Sequence, residues 1–351
     1  VEGAVAAVAE ISQEQNEFFD GGNAMTIAGS MRKQNSLLKD CAVLLISGLL
    51  VAVAFGTCLA VPQDQETFAS PDEAVNTLVD ALRAFDVKAL SAIFGPGGKD
   101  VVSSGDPVAD KTQSERFINL YEQKNKLEKA NANKVVLYVG NEEWPFPIPI
   151  VKKDGAWQFD TNEGREEILA RRIGKNELSV IQVCLAYVDA QREYALKDQN
   201  SDGLLTYSQK LRSDSGKKDG LYWKAKEGDE QSPLGPLVAA AHEQGYTTKR
   251  PEGKPVPYHG YYYRILKAQG KDALGGSYDY VVEGKMVGGF AMVAYPARYG
   301  SSGIMTFIVN HDGVVYQKDL GEHTEKVAPA MMLFNPDSFW EQAEQDSVKA
   351  K

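Results

Sequence analysis

Twenty consecutive residues without a charge, Cys41 to Ala60 ("CAVLLISGLLVAVAFGTCLA"), divide this chain of 351 residues. A run of that length and apolarity is about as long as a membrane span. It is preceded from Met31 by the basic "MRKQNSLLKD" and followed by the polar "VPQDQET". A basic start, an apolar middle and small residues ahead of a polar stretch form the layout of a secretory signal. Residues 31–60 are therefore read as a signal peptide, with an uncleaved anchor as the other reading. Residues 1–30 are read as an over-extended start. The expected location is the periplasm or the medium.

Cysteine usage then limits what can hold the exported part together. Cys41 and Cys58 lie in the apolar run, so only Cys184 remains beyond it. One cysteine forms no internal disulfide and no zinc cluster. An apolar core must do the work, and Cys184, inside an apolar helical stretch, is expected as a small buried hydrophobe. A net charge of −10 leaves no basic excess to neutralise phosphates, which argues against a nucleic-acid partner. Membrane contact is expected only through an uncleaved N-terminal segment.

The first unit is expected over 68–170. "SPDEAVNTLVDALRAFDVKALSAIFG" opens with Ser70 as N-cap, Pro71 at the first helical position and acids in the first turn. Ala74, Val75, Leu78, Val79 and Leu82 form one helical stripe. Asp86 is read as the cap of a second helix, and "SERFINLYEQKNKL" as a third. "KVVLYV", "FPIPIVKK" and "AWQFD" read as strands, the last two joined by an Asp154-Gly155 hairpin turn. Pro145, Pro147 and Pro149 confine their stretch to an edge or a bulge. The charged "EEILARRIGKNEL" is read as a linker near Ala170.

The second unit is expected over 171–339, with 340–351 as a tail. "NELSVIQVCLAYVDAQREYAL" reads as a long amphipathic helix presenting Leu178, Ile181, Leu185 and Val188. "PLGPLVAAAHEQG" reads as a short helix. The strands "GYYYRILKAQG", "GGFAMVAYPARY", "GIMTFIVN" and "GVVYQKDL" follow. The fold class is α+β: helices on a curved antiparallel sheet, then one long helix on an antiparallel meander.

The blocks "GKNELSVIQVCLAYVDAQREYA", "DGLYW", "YHGYYYRILKAQG" and "GGFAMVAYPARYGSSGIMTFIVNHDGVVYQKDLG" resemble the bacterial domain-of-unknown-function 2950 family. That resemblance implies an exported envelope protein and supplies no catalytic residues. The layout of the first unit is similar to the nuclear-transport-factor-2-like cone. The second is similar to the head of type IV pilins and pseudopilins, without their apolar spine directly before the helix.

Chemistry is sparse. Asp86, Asp100 and Asp106 read better as caps and turn residues than as pocket acids. His242, His259, His311 and His323 show no ligand spacing, and no GxSxG elbow or phosphate loop occurs. His259 stands in the aromatic "PYHGYYYR", which reads as strand packing or as the lining of a site. One stretch, "KDQNSDGLLTYSQK", scans as a calcium loop. Asp198, Asn200 and Asp202 take the first three ligand positions, with Gly203 at the turn. The Leu204 carbonyl, Thr206 and Gln209 follow, and Leu205 is expected to pack inward. Calcium is the one cofactor this pattern suggests. The functional expectation is an interaction or structural module of the envelope whose partner is unnamed. The alternative is a small-ligand-binding or hydrolytic enzyme using a pocket in the first unit.

Overall fold

The computed structural model describes residues 65–199, 203–226, 228–246 and 256–344; the expected signal segment lies outside them. Local sequence signals start the first helices where expected. The Ser70 hydroxyl accepts the Glu73 amide at 3.1 Å, and α1 (Pro71–Ala84) buries Ala74, Val75, Leu78 and Val79. Asp86 caps α2 (Val87–Phe94) through the Lys88 and Ala89 amides. A short α3 (Lys99–Val102) leads to α4 (Pro107–Gln123), capped by Asp106.

The third expected helix differs from the structure at both ends. It begins at Pro107, and Lys124 is already extended, so "NKLEKAN" becomes β1 (Asn125–Asn131). Pairing with β2 (Lys134–Val139) outweighs the weak local preference of this charged stretch. β3 (Trp144–Pro145), β4 (Ile150–Lys153) and β5 (Ala156–Phe159) complete an antiparallel sheet of order β1-β2-β4-β5, with β3 beside β2. Asp154 and Gly155 have φ of 52° and 89°, the left-handed pair that a two-residue hairpin needs. Helices α1, α2 and α4 pack with Leu137, Val139, Ile150 and Phe159 in one core. Lys134, Val136 and Tyr138 alternate with the buried residues of β2 and stay half-exposed.

The stretch expected to be a linker is helix interior. α5 runs from Thr161 to Tyr194 over 34 residues, and Leu169 and Ile173, on either side of Ala170, are buried. Gly164 sits where a Cβ would come within 2.4 Å of the Pro147 carbonyl, so the helix can enter this close only without a side chain there. Its first half touches the first core, and its second half lies on the second sheet. Ile181 and Val188 are buried as expected, but Leu178 is 44% exposed and Val180, Cys184 and Tyr187 take the inner face.

After α6 (Gly235–Glu243) come β6 (Tyr261–Leu266), β7 (Ala268–Gln269), β8 (Tyr278–Asp279), β9 (Val281–Val282) and β10 (Lys285–Met286). Then follow β11 (Ala291–Pro296), β12 (Met305–Asn310), β13 (Val315–Asp319), α7 (Thr324–Ala330), β14 (Leu333–Phe334) and β15 (Glu341–Gln342). The main sheet is antiparallel in the order β15-β13-β12-β11-β6. Tyr261 and Arg264 point to opposite faces of β6. The Tyr261 hydroxyl lies 3.4 Å from Glu177 of α5, whereas Arg264 donates to the Ala328 carbonyl of α7 at 3.3 Å. The sheet is thus covered on both faces, and the chain is an α+β protein built around two apolar clusters.

Candidate functional site

The calcium-loop residues are only partly within the described chain: Asn200 and Asp202 lie outside it. Asp198 Oδ2 accepts the Gly203 amide at 2.7 Å, and Gly203 has φ of 81°, so the first expected ligand and the turn glycine do meet. Among the described residues 203–226, no helix follows the loop. Tyr207 bridges to Met286, and the Gln209 amide nitrogen donates to the Gly284 carbonyl at 2.7 Å, tying the last expected ligand to the β9–β10 hairpin. Thr206 is buried; the Leu204 and Leu205 side chains are exposed, Leu205 at 56%. The inward role expected of Leu205 is therefore corrected, because no exiting helix offers it a face. No group of three or more His, Cys, Asp or Glu able to hold a metal occurs among the described residues.

A polar cluster that the sequence did not suggest joins the two halves. Asp106 is fully buried. Its Oδ1 accepts the Val108 and Ala109 amides at 3.1 Å, and its Oδ2 accepts the Tyr246 hydroxyl at 2.8 Å and the Gly260 amide at 2.9 Å. Gly260, with φ of 72°, leaves no room for a Cβ against Asn176 and Ser302. On α5, Arg172 donates to the carbonyls of Asp100 and Val101, and Asn176 donates to Ser302 O at 2.8 Å. Arg298 returns the tie by donating to Ser103 O at 2.7 Å. An N-cap signal marks Asp106 in the sequence, but nothing local announces partners more than a hundred residues away.

Beside this joint stands His259, in the left-handed region at φ 51°. Its ring centroid lies 4.1 Å from that of Tyr258, and its amide donates to the Tyr246 hydroxyl at 3.3 Å. Burial, aided by the Lys175 charge, pushes its pKa down to about 4. Burial likewise raises the Tyr258 phenol to about 12 and lowers Lys175. The imidazole is thus neutral near pH 7, and neighbours disfavour its charging. Asp106 already holds four donors, which leaves it no free lone pair for a substrate.

Two of the recesses formed by the described residues mark the surface. One of about 290 Å³ is lined by Gln65, Val151, Lys153, Gln158 and Asn162, beside the Asp160 cap of α5. The other, of about 260 Å³, opens on the α7 face of the second sheet between Ile308, Leu320, Val327, Met331 and Trp340. Lys318 sits at the latter, 3.4 Å from Asp337 and over the rings of Phe339 and Trp340. Of the lining of this recess, Val327 and Leu333 are nearly half-exposed; Met332, next to Leu333 in the chain, and Phe339, whose ring Lys318 covers, are 71% and 74% exposed.

No curated protein and no solved structure matches the chain. Residues 65–343 match the family described as "Protein of unknown function (DUF2950)", and by that match, over most of its length, the chain belongs to this family.

Proposed function

We propose that the chain is an exported bacterial envelope protein that acts as a non-enzymatic interaction module, with the α7 face of the second sheet as its contact surface. The observation that carries this reading is a 260 Å³ recess lined in part by the half-exposed Val327 and Leu333, with the exposed Phe339 ring beside its Lys318 and the exposed Met332 between two of its lining residues in the chain. Contiguous apolar patches of this kind mark partner sites on soluble proteins. The rival enzymatic reading needs converging ionisable groups in a first-half pocket. There, aliphatic and aromatic side chains fill the core, and Asp160 at the recess is engaged as a helix cap. Export rests on the signal layout of residues 31–60; no helix among the described residues is long and apolar enough to cross a membrane.

Two finer likenesses and one ion belong to the same reading. Helices on one face of a small antiparallel sheet support a cone-like first half, and a long helix on a meander supports a pilin-head-like second half. Closure of Asp198 on Gly203 supports a weak calcium loop, with Asn200, Asp202, the Leu204 carbonyl, Thr206 and Gln209 as the remaining ligands. A photoreactive residue placed at 332 tests the contact surface in a native envelope fraction, with one at Leu274, 82% exposed, as control. A discrete adduct from 332 alone, lost in Phe339→Asp, is expected. Equal labelling from both positions, or none, overturns the reading.

A further inference from the structure

β1 ends the first sheet, and among the described residues only β2 pairs with it. Two bonds establish which of its backbone groups face outward. The Gly140 amide donates to Lys124 O at 2.8 Å, which makes Lys124 and Gly140 a hydrogen-bonded pair. On β2, the Leu137 carbonyl accepts from Phe146 on the side away from β1. Antiparallel ladders alternate, so Lys126 and Glu128 bond to β2, while Asn125, Leu127 and Lys129 turn their N–H and C=O groups to the open edge. The outward backbone groups of Leu127 and Lys129 meet no partner among the described residues.

Charges on an edge strand commonly serve to prevent such pairing. Here the order of the charges matters. A second copy approaching this edge antiparallel must match outward residues with outward residues, so the two-fold axis passes through a single residue. Centred on Lys126 or Lys129, the pairing opposes lysine to lysine; centred on Glu128, it opposes glutamate to glutamate. Centred on Leu127, it places Lys126 opposite Glu128 of the second copy and Glu128 opposite its Lys126. Leu127 then faces its own equivalent, and Asn125 faces Lys129. Of these registers, the one centred on Leu127 opposes unlike charges, and it uses the backbone groups that are free. α4, which packs beside β1, has no fully buried residue along its 17 positions and so offers a half-covered flank next to the same edge.

We propose that β1 is a self-complementary edge through which two copies of this chain pair antiparallel about Leu127, joining their first sheets into one. The pairing is isologous, as a two-fold contact requires: each copy gives and receives the same bonds. Cross-strand pairs of unlike charge fix the register.

Sedimentation velocity of the full chain in a nonionic detergent tests this with two charge reversals, Lys126→Glu and Glu128→Lys. Each variant alone opposes like charges and is expected to self-associate at least tenfold more weakly than wild type. Mixed in equal amounts, the two restore unlike pairs at both positions, so the heterodimer is expected to regain wild-type affinity. A folding defect cannot be rescued by such mixing. Lys129→Pro removes an outward amide while leaving the β2 ladder intact, and it too is expected to weaken pairing. A wild-type chain that stays monomeric at its highest soluble concentration overturns the proposal. So does association that the charge variants leave unchanged, or a mixture that fails to recover it.

Discussion

The two larger sheets solve different problems with similar strands. β2 alternates buried and half-exposed residues, because helices cover one face of the first sheet. β11 and β12 are buried almost throughout, because α5 lies on one face of the second sheet and α7 with the C-terminal segment on the other. A one-faced sheet presents its second face and its β1 edge to water, and Lys126 lies 4.9 Å over the Tyr138 ring there. The second sheet instead carries its exposed apolar surface on its covering layer, at Met332 and Phe339. The first is therefore suited to strand-edge contacts and the second to side-chain contacts.

Equivalent truncations in the two sheets sharpen that contrast most. Phe307 is fully buried on β12, with its ring 5.9 Å from that of Tyr261. Phe307→Ala is expected to cost about 3–5 kcal/mol in urea unfolding, through lost transfer energy and the cavity left behind. Tyr138→Ala, on the open face of β2, is expected to cost about 1 kcal/mol or less. Equal losses would mean that the open face of the first sheet is covered in solution.

What was legible in the sequence was local. Ser70 and Asp86 announce their helices because a cap acts within three residues, and Asp154-Gly155 announces its turn through φ alone. The α+β class follows from the order of such signals. β1 was not legible: "NKLEKAN" has no strand alternation, and its conformation is imposed by β2. The continuation of α5 through Ala170 is not legible because the charged residues there bind the first half, Arg165 at the Asp100 carboxylate and Arg172 at the Asp100 carbonyl, a role invisible without the fold. Of the candidate loop, the Asp198–Gly203 closure follows from local spacing, whereas the tie from Gln209 to Gly284 crosses 75 residues.

Acid tests whether the two regions act as one. His259 has a pKa near 4 when folded and about 6.5 when unfolded. Between those values the unfolded chain binds a proton that the folded chain refuses, so stability falls as pH drops from 6.5 towards 4. At about 1.4 kcal/mol per unit, the loss is on the order of 3 kcal/mol across the window. Among the described residues, Lys175 on α5, Asp106, and the phenols of Tyr246 and Tyr258 are the charged and titratable groups beside it. Asn tolerates the left-handed backbone, so His259→Asn removes the titration with little strain. Urea midpoints for wild type and variant, measured from pH 7 to pH 4, are expected to converge in acid. If both fall in parallel, the histidine does not tie joint stability to pH.

The smallest expected effect distinguishes the regions by ligand, since only the second carries the Asp198 loop. With two acidic side chains and Gln209 where a strong site has a bidentate glutamate, calcium affinity is expected on the order of 10⁻⁴–10⁻³ M. At ten times its dissociation constant the ion adds about 1.4 kcal/mol by linkage. That gain is expected to fall near the end of α5, where Asp198 already closes on the Gly203 amide and terminal carbonyls lack helical partners. Hydrogen exchange read by peptide, with chelator and with millimolar calcium, separates a local staple from a general salt effect. Slower exchange over 190–210 with 68–160 unchanged, and no response in Asp198→Ala, is the expected pattern. Protection that rises equally in both regions, or persists in the variant, assigns the effect to ionic strength. A chain that ignores calcium altogether leaves the loop a polar turn held by Gly203 and Gly284.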